Sequence, residues 1–216
     1  MKKMLKIIGV VLVSIVVLIA AAVVFLIVKN KIDSGKAWLA DDYYMAFQSD
    51  SALEKKYAGI GTYDVSNTVI KSGDNVIKNI RIWYPAELEN KTGQYPMIIV
   101  VNGSNTAALN YEAFFKRLAS WGFIVIGNDD RQTGTGLSAS ATLEYMLSLG
   151  NDKSSIFYEK ISQEDIGIVG YSQGGAGAVR AVTEYENSSQ FKTIFTGSAA
   201  YPLLAKNMGW EYDVSK

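Results

Sequence analysis

The chain has 216 residues, 49% hydrophobic and 12% aromatic, with 21 basic and 21 acidic side chains and a net charge of zero. That balance, with no basic patch interleaved with aromatics, argues against nucleic acid as a partner. The chain has no cysteine, which excludes disulfides, thiolate metal sites and a cysteine nucleophile. It has no histidine either, so a metal would have to rest on carboxylates alone. The expected metal and cofactor complement is therefore none.

The N-terminus reads as a membrane segment. Ile7 to Val28 is a run of 22 residues without a charge. At about 1.5 Å per residue it is long enough for a hydrocarbon core of about 30 Å. Lys2, Lys3 and Lys6 precede the run, and Lys29, Lys31 and Lys36 follow it. The bias mildly favours an N-inside, C-outside anchor. A cleavable signal is the rival, because Ala20-Ala21-Ala22 has the small-x-small form. Val23 to Val28 stays apolar beyond that point, where a mature terminus is normally polar. Both readings put the rest of the chain outside the cytoplasm: single-pass in the cell membrane, or secreted. A buried core helix is the third alternative.

Residues 29–60 read as a linker with at most one short helix. Its aromatic cluster of Trp38, Tyr43, Tyr44 and Phe47 is interrupted by Asp41 and Asp42. That favours packing on the following domain over a place at the membrane interface. From residue 61 to 216 the pattern becomes α/β. Thr62 to Lys71 and Asn79 to Tyr84 are candidate strands around a Ser72-Gly-Asp-Asn75 turn, and Pro85 ends the second. Met97 to Val101 is a continuous apolar strand. Leu109 to Trp121 is a helix with Tyr111, Phe114, Phe115 and Leu118 on one face, ended by Gly122. Phe123 to Ile126 is a strand, and Ser138 to Leu149 a helix stopped by Gly150. Ile166 to Val169 and Phe191 to Phe195 are further strands. A hairpin followed by alternating strands and helices predicts a doubly wound, mostly parallel sheet, whose sites lie beyond the carboxyl ends of its strands.

Gly170-Tyr171-Ser172-Gln173-Gly174 follows one such strand. Gly-x-Ser-x-Gly between a strand and a helix is the form of a nucleophile elbow. The turn forces Ser172 into a strained backbone region, and Gly170 and Gly174 remove Cβ atoms that would collide there. Gly175 and Gly177 let the following helix approach the sheet. Ser172 is the expected nucleophile. An acyl-transfer serine also needs donors for the developing oxyanion. The Gln173 amide supplies one, and the loop Val101-Asn102-Gly103-Ser104-Asn105 the second, through Ser104 with Asn105 in reserve. Asp129 and Asp130 sit at a strand end, and read as loop or capping carboxylates more readily than as catalytic ones. Tyr201 could line an acyl pocket or simply pack.

Met97 to about Gly209 resembles the lipase/cutinase-like and dienelactone-hydrolase-like branch of the α/β-hydrolases, which includes polyester hydrolases. The carrying residues are the Asn102-Gly103 loop, which resembles a His-Gly-type oxyanion loop with Asn102 replacing the His, Asn128-Asp-Asp-Arg-Gln-Thr133, and Gly170-Tyr-Ser-Gln-Gly-Gly175. The resemblance implies hydrolysis of carboxylic esters, whether small-molecule, lipid or polyester, through an acyl-enzyme. It also implies the chain order Ser, then Asp or Glu, then His. Asp213 has the right order but no apolar strand before it, and reads as a loop residue. The expectation is therefore an α/β-hydrolase-type sheet incomplete at its C-terminus, whose acid and histidine are missing from these residues. Two alternatives stay open: a catalytically inactive anchored binding or scaffold domain, and catalysis with an unusual base such as lysine.

Overall fold

The computed structural model describes residues 2–33, 35–40, 42–46 and 49–215. Two compact units are present, Met1–Lys36 and Ala37–Lys216. The first is helix α1 (Lys2–Asp33). Its stretch Lys6–Asp33 is long and apolar enough to cross a membrane, a test that a signal sequence passes too.

In the second unit the segment before the sheet carries helix α2 (Ala52–Ala58), capped by Ser51, whose hydroxyl accepts the Glu54 amide. The Tyr57 ring lies 5.3 Å from that of Trp121, and the Gly59 carbonyl accepts both Trp121 Nε1 and Arg117 Nε. Trp38, from the predicted aromatic cluster, donates its amide to the Asn110 carbonyl and sets its ring 5.3 Å from Tyr111. Asp41 and Phe47 lie outside the described residues, and so does the side chain of Tyr44.

Six strands follow: β1 (Val65–Lys71), β2 (Asn79–Pro85), β3 (Tyr95–Val101), β4 (Ile124–Asn128), β5 (Ile161–Tyr171) and β6 (Thr193–Gly197). They form one mixed sheet in the order β1-β2-β4-β3-β5-β6. The first two strands are antiparallel to their neighbours, and β4, β3, β5 and β6 run parallel. Side chains alternate faces along a strand, so each strand feeds two cores. Ile80, Ile82, Met97, Ile99, Ile124 and Ile126 pack under helix α4 (Leu137–Asn151) through Leu143 and Met146. Trp83, Val100 and Val125 point the other way, onto Phe115 and Ala119 of helix α3 (Glu112–Ser120). Helix α5 (Gln173–Thr183) joins the α4 face through Ala178 and Ala181, against Ile168 and Val101. A short helix α6 (Pro202–Asn207) follows β6.

Several bounds differ from the sequence reading: β1 begins at Val65 rather than Thr62, β4 is Ile124–Asn128 rather than Phe123–Ile126, and β6 is Thr193–Gly197 rather than Phe191–Phe195. Helix α4 runs through Gly150 to Asn151, because a lone glycine costs only about 1 kcal/mol in a helix. The first turn predicted for α3 is a 3₁₀ turn, Ala108–Tyr111. Strand β5 begins five residues earlier than its apolar core, since Ser162 to Asp165 extend it through a polar, mostly exposed stretch.

Candidate active site

Everything of interest lies at the carboxyl ends of the parallel strands. Ser172 sits between β5 and α5 with φ 55° and ψ −118°. A left-handed backbone at a residue with a Cβ costs about 1–3 kcal/mol and persists only where the surroundings hold it. Here three bonds do so. The Ser172 amide donates to the Gly197 carbonyl at 3.0 Å, and the Ser172 carbonyl accepts the amides of Gly175 at 3.0 Å and Ala200 at 3.1 Å. The end of β6 and the loop behind it thus clamp the turn from the side.

The glycines around Ser172 are required sterically. A Cβ on Gly170 would lie 2.2 Å from the Gly174 carbonyl oxygen, and one on Gly174 would lie 2.1 Å from that of Val101. Gly175 and Gly177 do not serve an approach to the sheet, as the sequence suggested. A Cβ on Gly175 would meet Ala199 beyond β6, and one on Gly177 the Thr133 carbonyl. Both admit neighbouring loops to the flank of α5.

The loop after β3 lies against this turn, for a Cβ on Gly103 would stand 3.5 Å from the Tyr171 carbonyl. Its amides divide clearly. Gly103 donates to the Tyr111 hydroxyl at 3.0 Å, and Asn105 donates to the Arg131 carbonyl at 3.1 Å. Among the described residues the Ser104 amide has no hydrogen-bond partner. The same is true of the Gln173 amide, one of the orphan donors at the start of α5. Asn105, held in reserve by the sequence reading, has already spent its amide. Ser172 itself is half-buried, and among the described residues no side chain is hydrogen-bonded to its hydroxyl.

The carboxylates stand elsewhere. Asp129 accepts from Arg81 Nε at 3.1 Å and Asn79 Nδ2 at 2.8 Å, tying β4 to β2. The Asp130 carboxylate accepts the Gln132 amide in a local turn. Asp213 is exposed and accepts the amide and hydroxyl of Ser215. Tyr201 is 60% exposed at the start of α6. A cavity of about 220 Å³ opens beside Tyr171 rather than at Ser172, between Trp38, Tyr111, Phe114 and Phe195. Among the described residues no cluster of carboxylates could hold a metal ion.

The model of the PET hydrolase-like family matches residues 47–198, well over half of the chain, including Ser172, Gln173 and the loop after β3. The chain belongs to the PET hydrolase-like family. Two cutinases are similar to it. Cutinase 2 of Thermobifida cellulosilytica is 30% identical over 108 residues, 48% of this chain and 38% of that one. Cutinase cut1 of Thermobifida fusca is 30% identical over 108 residues, 48% of this chain and 32% of that one. The chain thus spans about a third of the length of these curated relatives. Membership in this family bears out the expected lipase/cutinase-like α/β-hydrolase character.

Sequence reasoning missed the residues that hold the site in shape. Asn102 is fully buried, and its Nδ2 donates to the carbonyls of Asn128 and Asp130. Both motifs stand out in the sequence, but nothing in a spacing of 26 to 28 residues says that they touch.

Proposed function

We propose that these residues form the nucleophile-bearing part of a membrane-anchored, extracytoplasmic serine hydrolase that cleaves carboxylic esters through an acyl-enzyme. The single observation that carries this is Ser172, held at φ 55° where the loop after β3 meets the turn, with the amides of Gln173 and Ser104 lacking partners among the described residues. Such an arrangement suits attack by the Ser172 hydroxyl on an ester carbonyl. The two amides would then receive the oxyanion, an interaction worth several kcal/mol when preorganised. The alcohol leaves, the acyl group stays on Ser172, and water releases it in a second addition. Each half needs a base to take a proton from the attacking oxygen and return it to the leaving one. These residues hold no histidine, so that base is contributed from outside them. Residues 1–28 serve as anchor or signal, 29–60 as linker and 61–216 as the partial hydrolase domain. The substrate is a small-molecule, lipid or polyester carboxylic ester. Membership in a hydrolase family weighs against an inactive scaffold.

The test has two steps. The coding sequence past Lys216 should encode an apolar strand ending near an Asp or Glu, then a His. An immediate stop codon overturns that part. A fluorophosphonate probe should then label Ser172 in the longer protein, and Ser172→Ala should abolish the label. The 216-residue chain should label hardly at all, because losing part of a triad leaves only about 10³–10⁴-fold catalysis over water. Strong labelling of the short chain would point to an unusual base.

A further inference from the structure

We propose that Asn102 is a positioning residue for the Ser104 amide, and that the Asn128–Thr133 segment is the template against which it works. This rests on the acyl-transfer reading above. Both hydrogens of the Asn102 carboxamide are committed, to the Asn128 carbonyl at 2.8 Å and the Asp130 carbonyl at 2.9 Å. Turned over, the group would push its oxygen against two carbonyl oxygens, so its orientation is fixed. Its Oδ1 is buried and has no hydrogen-bond partner among the described residues.

The contact continues as a ladder. The Asn102 carbonyl accepts the Thr133 hydroxyl at 2.5 Å. The Asn105 amide donates to the Arg131 carbonyl at 3.1 Å, with Asn105 itself at φ 57°. Ser104 lies between these rungs, exposed, with its amide left over. The continuation of the template grips α5. The Thr133 carbonyl fills the space that a Gly177 side chain would need, and the Thr135 carbonyl accepts Arg180 Nε at 3.1 Å and the Tyr185 hydroxyl at 2.8 Å. Helix α5 begins with the Gln173 amide. One segment, residues 128–135, therefore sets the spacing between the two oxyanion donors. This gives the Asn128–Thr133 motif a role that its carboxylates do not explain, since Asp129 is engaged with Arg81 and Asn79 of β2 and Asp130 in a local turn.

The test compares Asn102→Asp, which replaces a double donor by an acceptor facing two carbonyls, with Thr133→Val and the conservative Thr133→Ser. Hydrogen exchange is read on the 216-residue chain, and p-nitrophenyl butyrate hydrolysis on the protein at its full encoded length. Asn102→Asp and Thr133→Val should speed exchange at residues 103–105 and 129–133 while β3, β4 and β5 stay protected. In the enzyme they should lower kcat by about 10–100-fold, below the loss expected for deleting a donor outright, with KM within about twofold. Thr133→Ser should keep wild-type kcat. Unchanged kcat despite faster exchange would overturn the proposal. So would exchange spreading through β3 and β4 in Thr133→Val, the mark of a merely structural contact. An inactive wild-type protein would overturn the acyl-transfer reading and the catalytic meaning of the clamp with it. The exchange pattern would still tell whether the clamp exists.

Discussion

Strands β5 and β6 are neighbours, run parallel and both carry large apolar side chains, yet they contribute in opposite ways. In β5, Ile166 and Ile168 are buried to within 1%. In β6 every residue from Thr193 to Thr196 is exposed, with Ile194 at 40% and Phe195 at 66%. The difference is in the neighbours. Strand β5 has β3 and β6 on its two edges and α4 and α5 over one face. Strand β6 stands at the edge of the sheet. Its contribution is made by its backbone: the Gly197 carbonyl takes the Ser172 amide. One strand supplies core, and the other supplies position.

That contrast can be broken by mutation. Ile168→Ala removes side-chain volume from the closed core, and should cost about 2–5 kcal/mol in urea unfolding. Gly174→Ala tests the turn between the two strands. Its Cβ would stand 2.1 Å from the Val101 carbonyl, so backbone must shift, at about 1–3 kcal/mol on the same assay. A loss below about 0.5 kcal/mol would mean that the turn is looser than its geometry.

Tyr84, in the interior on β2, offers a test by pH. Its pKa is pushed up to about 12, first by burial and then by the hydrogen bond to Glu89. A phenol raised in the folded state adds stability that is full below the ordinary value of about 10 and is lost as pH rises toward the folded one. Urea midpoints should therefore fall between about pH 10 and 12, and Tyr84→Phe should flatten that decline. A decline unchanged in Tyr84→Phe would assign it to other groups. The smallest effect is expected at the edge. Phe195→Ser should shift stability by no more than about 0.5 kcal/mol, while reducing concentration-dependent association in light scattering. A loss above about 1.5 kcal/mol would place the β6 side chains in the core and erase the contrast.

Much of the site was legible in the chain itself, because its signals are local. A strand, a Gly-x-Ser-x-Gly turn and a helix occupy about 20 consecutive residues, and their chemistry follows from neighbours two to four positions apart. Gly170 and Gly174 were read correctly as relief from crowding, although the atom that crowds Gly174 belongs to Val101, 73 positions upstream. Gly175 and Gly177 were misassigned for the same reason, since they face the loops of Ala199 and Thr133. The full length of β5 was missed because Ser162 to Asp165 are polar and mostly exposed, and hydropathy does not register a strand that buries nothing.

By itself the sequence determined the order of strands and helices, the apolar N-terminal helix, the turn that presents Ser172 and the absence of any histidine to activate it. These depend on local periodicity, on glycine and on composition. Only the tertiary structure decided that Asp129 ties two strands together, that Asn102 is spent on the Asn128–Thr133 segment, and that β6 holds the nucleophile by its backbone while leaving its side chains uncovered. Each depends on hydrogen bonds between groups 25 or more positions apart, whose meeting is set by the packing of the whole sheet and by no property of either residue alone.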